Sequence, residues 1–135
     1  MNTGPKLVSI LRQGSYLIAS IHTALDDTEM VRFQEDLIEQ IGVHRSRGVV
    51  IDVAALDVLD SFGARTLRTI GEIARLRGAT TVIVGIQPDV AFAMVSLGMS
   101  TGSLVTALDL EEGLAHLDGR VGRSTQLADP RRVDR

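Results

Sequence analysis

Two short β-prone runs open the chain, Leu7 to Leu11 and Tyr16 to Ile21, separated by Arg12-Gln13-Gly14-Ser15. That turn-forming spacer predicts an antiparallel hairpin. From Asp26 the period changes. Met30, Phe33, Leu37, Ile38 and Ile41 recur at helical spacing, and Asp26, Asp27 and Glu29 sit where the positive end of a helix favours acids. The pattern predicts an amphipathic helix ending near Gly42. Val49 to Val53 reads as a buried strand, Ser61 to about Arg77 as a helix stopped by Gly78, and Thr80 to Val84 as a further strand. Pro88 is preset for a first helical turn, so Asp89 to Leu97 is predicted helical and ended by Gly98. A last β segment near Val105 to Ala107 precedes Asp109-Leu110-Glu111-Glu112, a capping-box pattern for a helix reaching Leu117.

The predicted order is ββαβαβαβα. Strands alternating with helices imply βαβ crossovers, hence an α/β fold with a mixed, mainly parallel sheet of about five strands and about four helices. The hairpin supplies the one antiparallel strand. We expect a single domain over 1–118. From Gly119 the tail carries five arginines and few apolar residues at any period, so 119–135 is expected to be disordered.

Composition narrows the function. Aromatic residues make up 3% of the 135 residues, leaving an aliphatic core, and the net charge is −3. An acidic chain without interleaved basic and aromatic residues is a poor match for nucleic acid. No cysteine is present, so disulfides and thiolate metal sites are excluded. No uninterrupted apolar run approaches the roughly 18 residues of a membrane span. A cytoplasmic protein with neither nucleic-acid nor membrane partners is expected.

The most informative stretch is VVIDVAALDVLDSFGARTL, Val49 to Leu67. A buried strand runs into an acidic loop with Asp57 and Asp60, and Ser61 falls where a helix must begin. Loops above the carboxyl ends of strands are where open α/β sheets keep functional groups. On a helix from Ser61, the residues Ser61, Arg65, Arg68, Glu72 and Arg75 form one polar stripe opposite Leu67, Ile70, Ile73 and Ala74. Ser61 therefore faces water. On spacing alone, Asp60 and Ser61 are read as helix caps. The alternative is that Ser61 accepts a phosphate, which a helix N-terminus tolerates and Arg65 could partly pair, while Asp57 and Asp60 oppose it.

A third reading makes Ser61 a hydrolase nucleophile. The elbow G-x-S-x-G is half missing, since Leu59 stands where the first glycine belongs, and His22, His44 and His116 read as surface or edge histidines. Asp52 and Asp57 could approach a cation, but without a phosphate-binding loop they read as solvated acids. No cofactor or metal motif is present. Phe92 and Met94, on an unusually apolar helix, suit either a subunit interface or core packing.

These residues together resemble a STAS domain, the fold of the anti-sigma factor antagonists, and within it the stressosome branch. The resemblance runs from about Leu7 to Leu117 and is carried by FQEDL (Phe33 to Leu37), VVIDVAALDVLDSFGARTL, VGIQPDVA (Val84 to Ala91) and TALDLEEGL (Thr106 to Leu114). It implies a non-catalytic scaffold that binds an RsbT-type switch kinase and is phosphorylated by it on Ser61, freeing the kinase. An RsbX-type phosphatase would reset the system. It also implies co-assembly with RsbR-type paralogues, whose STAS domain follows a sensory domain; that extension is not seen here, so the RsbS type is expected. Where paralogues often carry a second phosphorylatable threonine, this chain has Val84. The surface expected to meet partners is Asp57, Asp60, Phe62, Gly63, Arg65, Gln87 and Pro88, with self-association in a large assembly. A SpoIIAA-type antagonist acting as a small free protein is the near alternative.

Overall fold

A computed structural model describes residues 6–98 and 104–127. Five strands form one sheet in chain order: β1 (Val8–Gln13), β2 (Tyr16–Ile21), β3 (Gly48–Asp52), β4 (Thr80–Val84) and β5 (Leu104–Ala107). β1 pairs antiparallel with β2, and the other three pairings are parallel. Four helices join and cover them: α1 (Asp27–His44), α2 (Ser61–Leu76), α3 (Pro88–Ser96) and α4 (Leu110–Leu127). The predicted order and the α/β class are those of the structure. Gln13 pairs with Tyr16, so Gly14 and Ser15 alone make the turn, and the first strand is longer than expected.

The alternation of side chains along the strands splits the core in two. Leu17, Ala19, Val49, Ile51 and Ile83 face one way and pack with Met30, Phe33, Leu37 and Ile41 of α1 and Leu67, Ile70 and Ala74 of α2. Ile18, Val50, Val82 and Val84 face the other way and meet Leu110, Leu114 and Leu117 of α4. A sheet covered on both faces explains why β3 and β4 read as continuous apolar runs.

Cap chemistry sets where the helices begin. Asp26 and Glu29 form a reciprocal capping box at α1, with both hydrogen bonds at 2.8 Å. At α4, the Asp109 carboxylate accepts from the Glu112 backbone N–H at 2.9 Å. α4 does not stop near Leu117. It continues to Leu127, through the boundary at 118 and into the stretch expected to be disordered. No proline interrupts that stretch before Pro130, and its glycines weaken a helix without ending it. Residues 128–135 lie outside the described residues.

Candidate functional site

The parallel strands β2 to β5 all end at one end of the sheet, and the loops there are tied to each other. The Val53 N–H donates to the Val84 carbonyl at 3.0 Å, and the Gly85 N–H to the Leu108 carbonyl at 3.1 Å. The Gln87 side-chain amide donates to the Ala54 carbonyl at 2.6 Å. Gly85 holds φ at +78°, and a Cβ there would meet Ala54 atoms at 2.9 to 3.1 Å. Only glycine accommodates both the left-handed backbone and that approach. The loop between β3 and α2 is therefore presented on a cross-braced platform.

Within that loop the Asp52 carboxylate accepts from the Ala54 N–H at 2.9 Å, an Asx turn that commits it to loop shape. Asp60, with extended backbone, is the N-cap of α2, and its carboxylate accepts from the buried Gly63 N–H at 2.8 Å. Spacing alone assigns the cap to Asp60 and Ser61 together. In the structure Asp60 does this alone and Ser61 is the first helical residue, exposed, with no hydrogen bond to its hydroxyl among the described residues. The physical reason is reach: from the extended position just before the helix a short oxygen-bearing side chain turns back onto the first-turn N–H groups.

Asp57, Arg65 and Pro88 are exposed, as are Arg68, Glu72 and Arg75 of the polar stripe. Gln87 is half-buried and its amide is engaged, so its first role is bracing. Gly63 is buried under Leu59, whose Cδ1 would lie 2.9 Å from an added Cβ, so it lets the loop close on the helix and is not an accessible contact. Phe62 is half-buried and packs against the core cluster. Its ring also lines a groove of about 340 Å³ with Asp27, Thr28, Val31, Arg32 and Glu35 of α1.

No sequence motif marks the α1 side of this groove, although Val31 is an apolar residue off the helix's buried stripe. Nor does any motif mark Val58 and Leu108, apolar side chains exposed at 63% and 75% on the loops at the same end. On α3, Met94 is buried while Phe92 is 76% exposed, so of the two residues singled out only Phe92 offers a surface. Phe92 and Met94 lie two apart on a helix, which places them on different faces.

The three histidines are dispersed. His22 directly follows β2 and its Nε2 lies 3.0 Å from Ser9 Oγ; His44 lies 3.0 Å from Gln40 Oε1 at the far end of α1. His116 adjoins Leu117, which packs over Gly48 at the start of β3, the end of the sheet opposite Ser61. It is half-buried, with Nε2 shielded from solvent, and not the surface residue expected. None forms a hydrogen bond with Ser61 among the described residues. No group of three or more metal-ligating side chains, and no helix long and apolar enough to cross a membrane, occurs among the described residues.

A sheet in this strand order, with a braced β3–α2 loop presenting a serine at a helix entrance, defines a STAS domain. The sequence pattern of that family, described as "STAS domain", matches residues 8–112, and the chain belongs to it. Within the family it is of the stressosome-like, anti-sigma factor antagonist type. It is 34% identical over 89 residues to the RsbT co-antagonist protein RsbRA of Bacillus subtilis (strain 168), covering 65% of this chain and 32% of that protein. It is 26% identical over 91 residues to RsbRD of the same organism, covering 67% and 33%. The chain thus spans about a third of the length of these relatives. Among solved structures, a serine-to-glutamate variant of Moorella thermoacetica RsbS matches with a TM-score of 0.75 at 35% identity, covering 87% of this chain and 99% of that one. A chain from the molecular architecture of the stressosome, described as a signal integration and transduction hub, matches at 0.69 and 32%, covering 84% and 98%. Unphosphorylated SpoIIAA, at 0.69 and 13%, covering 83% and 96%, shares the fold.

Proposed function

We propose that this protein is a non-catalytic stressosome scaffold and antagonist that holds an RsbT-type serine kinase and releases it when Ser61 is phosphorylated. One observation carries the reading: Ser61 is exposed at the first position of α2 while Asp60 does the capping. The hydroxyl is available to an enzyme, and the fold does not depend on it. A phosphate adds about −1.5 to −2 charges at the positive end of a helix, beside Asp57 and Asp60. The domain keeps its structure while the surface changes sign density where a partner sits. Like charges brought together across an interface cost several kcal/mol, and about 3 kcal/mol is roughly a hundredfold in affinity.

The partner surface in this reading comprises Ser61, Asp57, Arg65 and Pro88, together with Val58, Leu108 and the groove at Phe62. RsbR-type paralogues would co-assemble with it, and an RsbX-type phosphatase would return Ser61 to its free state. The testing experiment incubates the protein with a cognate kinase and ATP, maps the modified residue by mass, and measures kinase binding by Ser61→Ala and Ser61→Asp. Phosphate on Ser61, retained binding by Ser61→Ala and binding weakened about a hundredfold in Ser61→Asp support the proposal. Modification elsewhere, or equal binding by both variants, overturns it. Particle size on co-expression with a paralogue distinguishes the assembly from a SpoIIAA-type free antagonist.

A further inference from the structure

The end of the sheet opposite Ser61 gathers positive charge. A hollow of about 440 Å³ is lined by Ile41, Gly42, Arg45, Ser46, Arg47, Arg77 and Gly78. The three arginines that line it come from three places in the chain: Arg45 is the C-cap of α1, Arg47 lies in the loop leading to β3, and Arg77 is the C-cap of α2. No carboxylate among the described residues lines the hollow. None of the three arginines forms a salt bridge among the described residues, where the ion pair present is Arg68 with Glu72 at 4.0 Å.

The hollow is shaped for these side chains. Gly42 forms part of its wall, and a Cβ there would lie 2.6 Å from Arg77 Nη2, so the missing side chain lets the guanidinium rest against the α1 backbone. Arg45 sits at φ 48°, the left-handed conformation that glycine usually fills at a helix end. An arginine there carries a backbone cost of about 1 kcal/mol. Ser46 is 4% exposed, and its hydroxyl lies 2.8 Å from the Gly48 carbonyl and 3.1 Å from that of Ser15, which fixes the loop carrying Arg47.

The ordinary role of arginine at helix C-termini is to offset their partial negative charge, about half a charge per helix. Two helices end here and Asp118 lies nearby on the Tyr16 hydroxyl, yet three arginines still outweigh the two half-charges and that one carboxylate. Backbone N–H groups at Arg45, Ser46, Arg47 and Gly78 already donate to protein carbonyls, so recognition falls to the guanidinium forks. Such forks suit a phosphate dianion. We infer that this hollow is a binding site for a dianionic phosphate group, carried as free phosphate or as the terminal phosphate of a small molecule.

The inference does not depend on the role of Ser61. Its test uses the full chain, with inorganic phosphate titrated at constant ionic strength against chloride and followed by amide chemical shifts. Saturable shifts confined to residues 41–47 and 77–78 are expected, weakened roughly tenfold or more in Arg47→Gln and in Arg77→Gln. Gly42→Ala keeps every charge but displaces Arg77, and it too should weaken binding. Melting curves of each variant establish that it is folded. A parallel titration with ATP separates the two sources: tighter binding than phosphate assigns a phosphorylated small molecule, and equal binding assigns free phosphate. Phosphate shifts no greater than those of chloride, shifts centred elsewhere, or shifts unchanged in folded arginine variants would overturn the assignment.

Discussion

Removing the Asp60 carboxylate should destabilise the domain, whereas removing the Ser61 hydroxyl should not. In Asp60→Ala the Gly63 N–H loses its 2.8 Å partner, and because Gly63 is buried, water does not replace it. Loss of an N-cap costs about 1 kcal/mol, and loss of a carboxylate from the positive end of the helix adds about 0.3–1 kcal/mol. The sum is about 1.3–2 kcal/mol, or a fall in Tm of about 5–8 °C for a domain of this size. Ser61→Ala removes an exposed group, so its effect should stay within about 0.5 kcal/mol. Asp60→Asn, which keeps an acceptor but not the charge, should fall between. Urea unfolding with a shared m-value reads all three. A Ser61→Ala loss equal to that of Asp60→Ala would refute the division of labour, and with it the claim that the hydroxyl can be modified without disturbing the fold.

Gly85→Ala should cost about 2–4 kcal/mol, combining a left-handed alanine with crowding against the Ala54 backbone, and denaturant unfolding checks it. A loss under about 0.5 kcal/mol would mean the platform relaxes freely. The Tyr16 hydroxyl donates to Asp118 at 2.7 Å, and burial, followed by that carboxylate, pushes its pKa up to about 12. A folded pKa above the unfolded value of about 10 means this contribution is whole below pH 10 and is lost as pH rises towards 12. Tyr16 is the only tyrosine and there is no tryptophan, so tyrosinate absorbance reports it directly. Tyr16→Phe should lack this slope in a plot of stability against pH, and an unchanged slope would assign it to other groups.

Much of this architecture was readable because each element satisfies several local rules together. β3 is a run of aliphatic residues covered on both faces, and α2 carries its buried and polar stripes at helical spacing from its first residue. The site's location followed from the strand-to-helix junction. The details that were not readable depend on contacts between distant parts of the chain. Whether Asp60 or Ser61 caps α2 turns on one backbone angle, and both residue types are good caps. α3 is apolar enough that no periodicity distinguishes the buried Met94 from the exposed Phe92. Gln87 reads as a surface polar residue, and its tie to Ala54 spans 33 positions. The continuation of α4 past Leu117 lacks a strong apolar period, so pattern reading ended it too early.

The order of strands across the sheet is also their order in time. Each strand from β2 to β5 pairs with the one synthesised just before it, so a chain leaving the ribosome can extend its sheet one strand after another without waiting for a distant partner. The back face behaves differently: Val50 and Val82 are laid down well before Leu110, Leu114 and Leu117 arrive to cover them. A nascent chain stalled ahead of α4 would carry an uncovered aliphatic sheet, and the closing helix is therefore the step on which escape from chaperones and proteases turns.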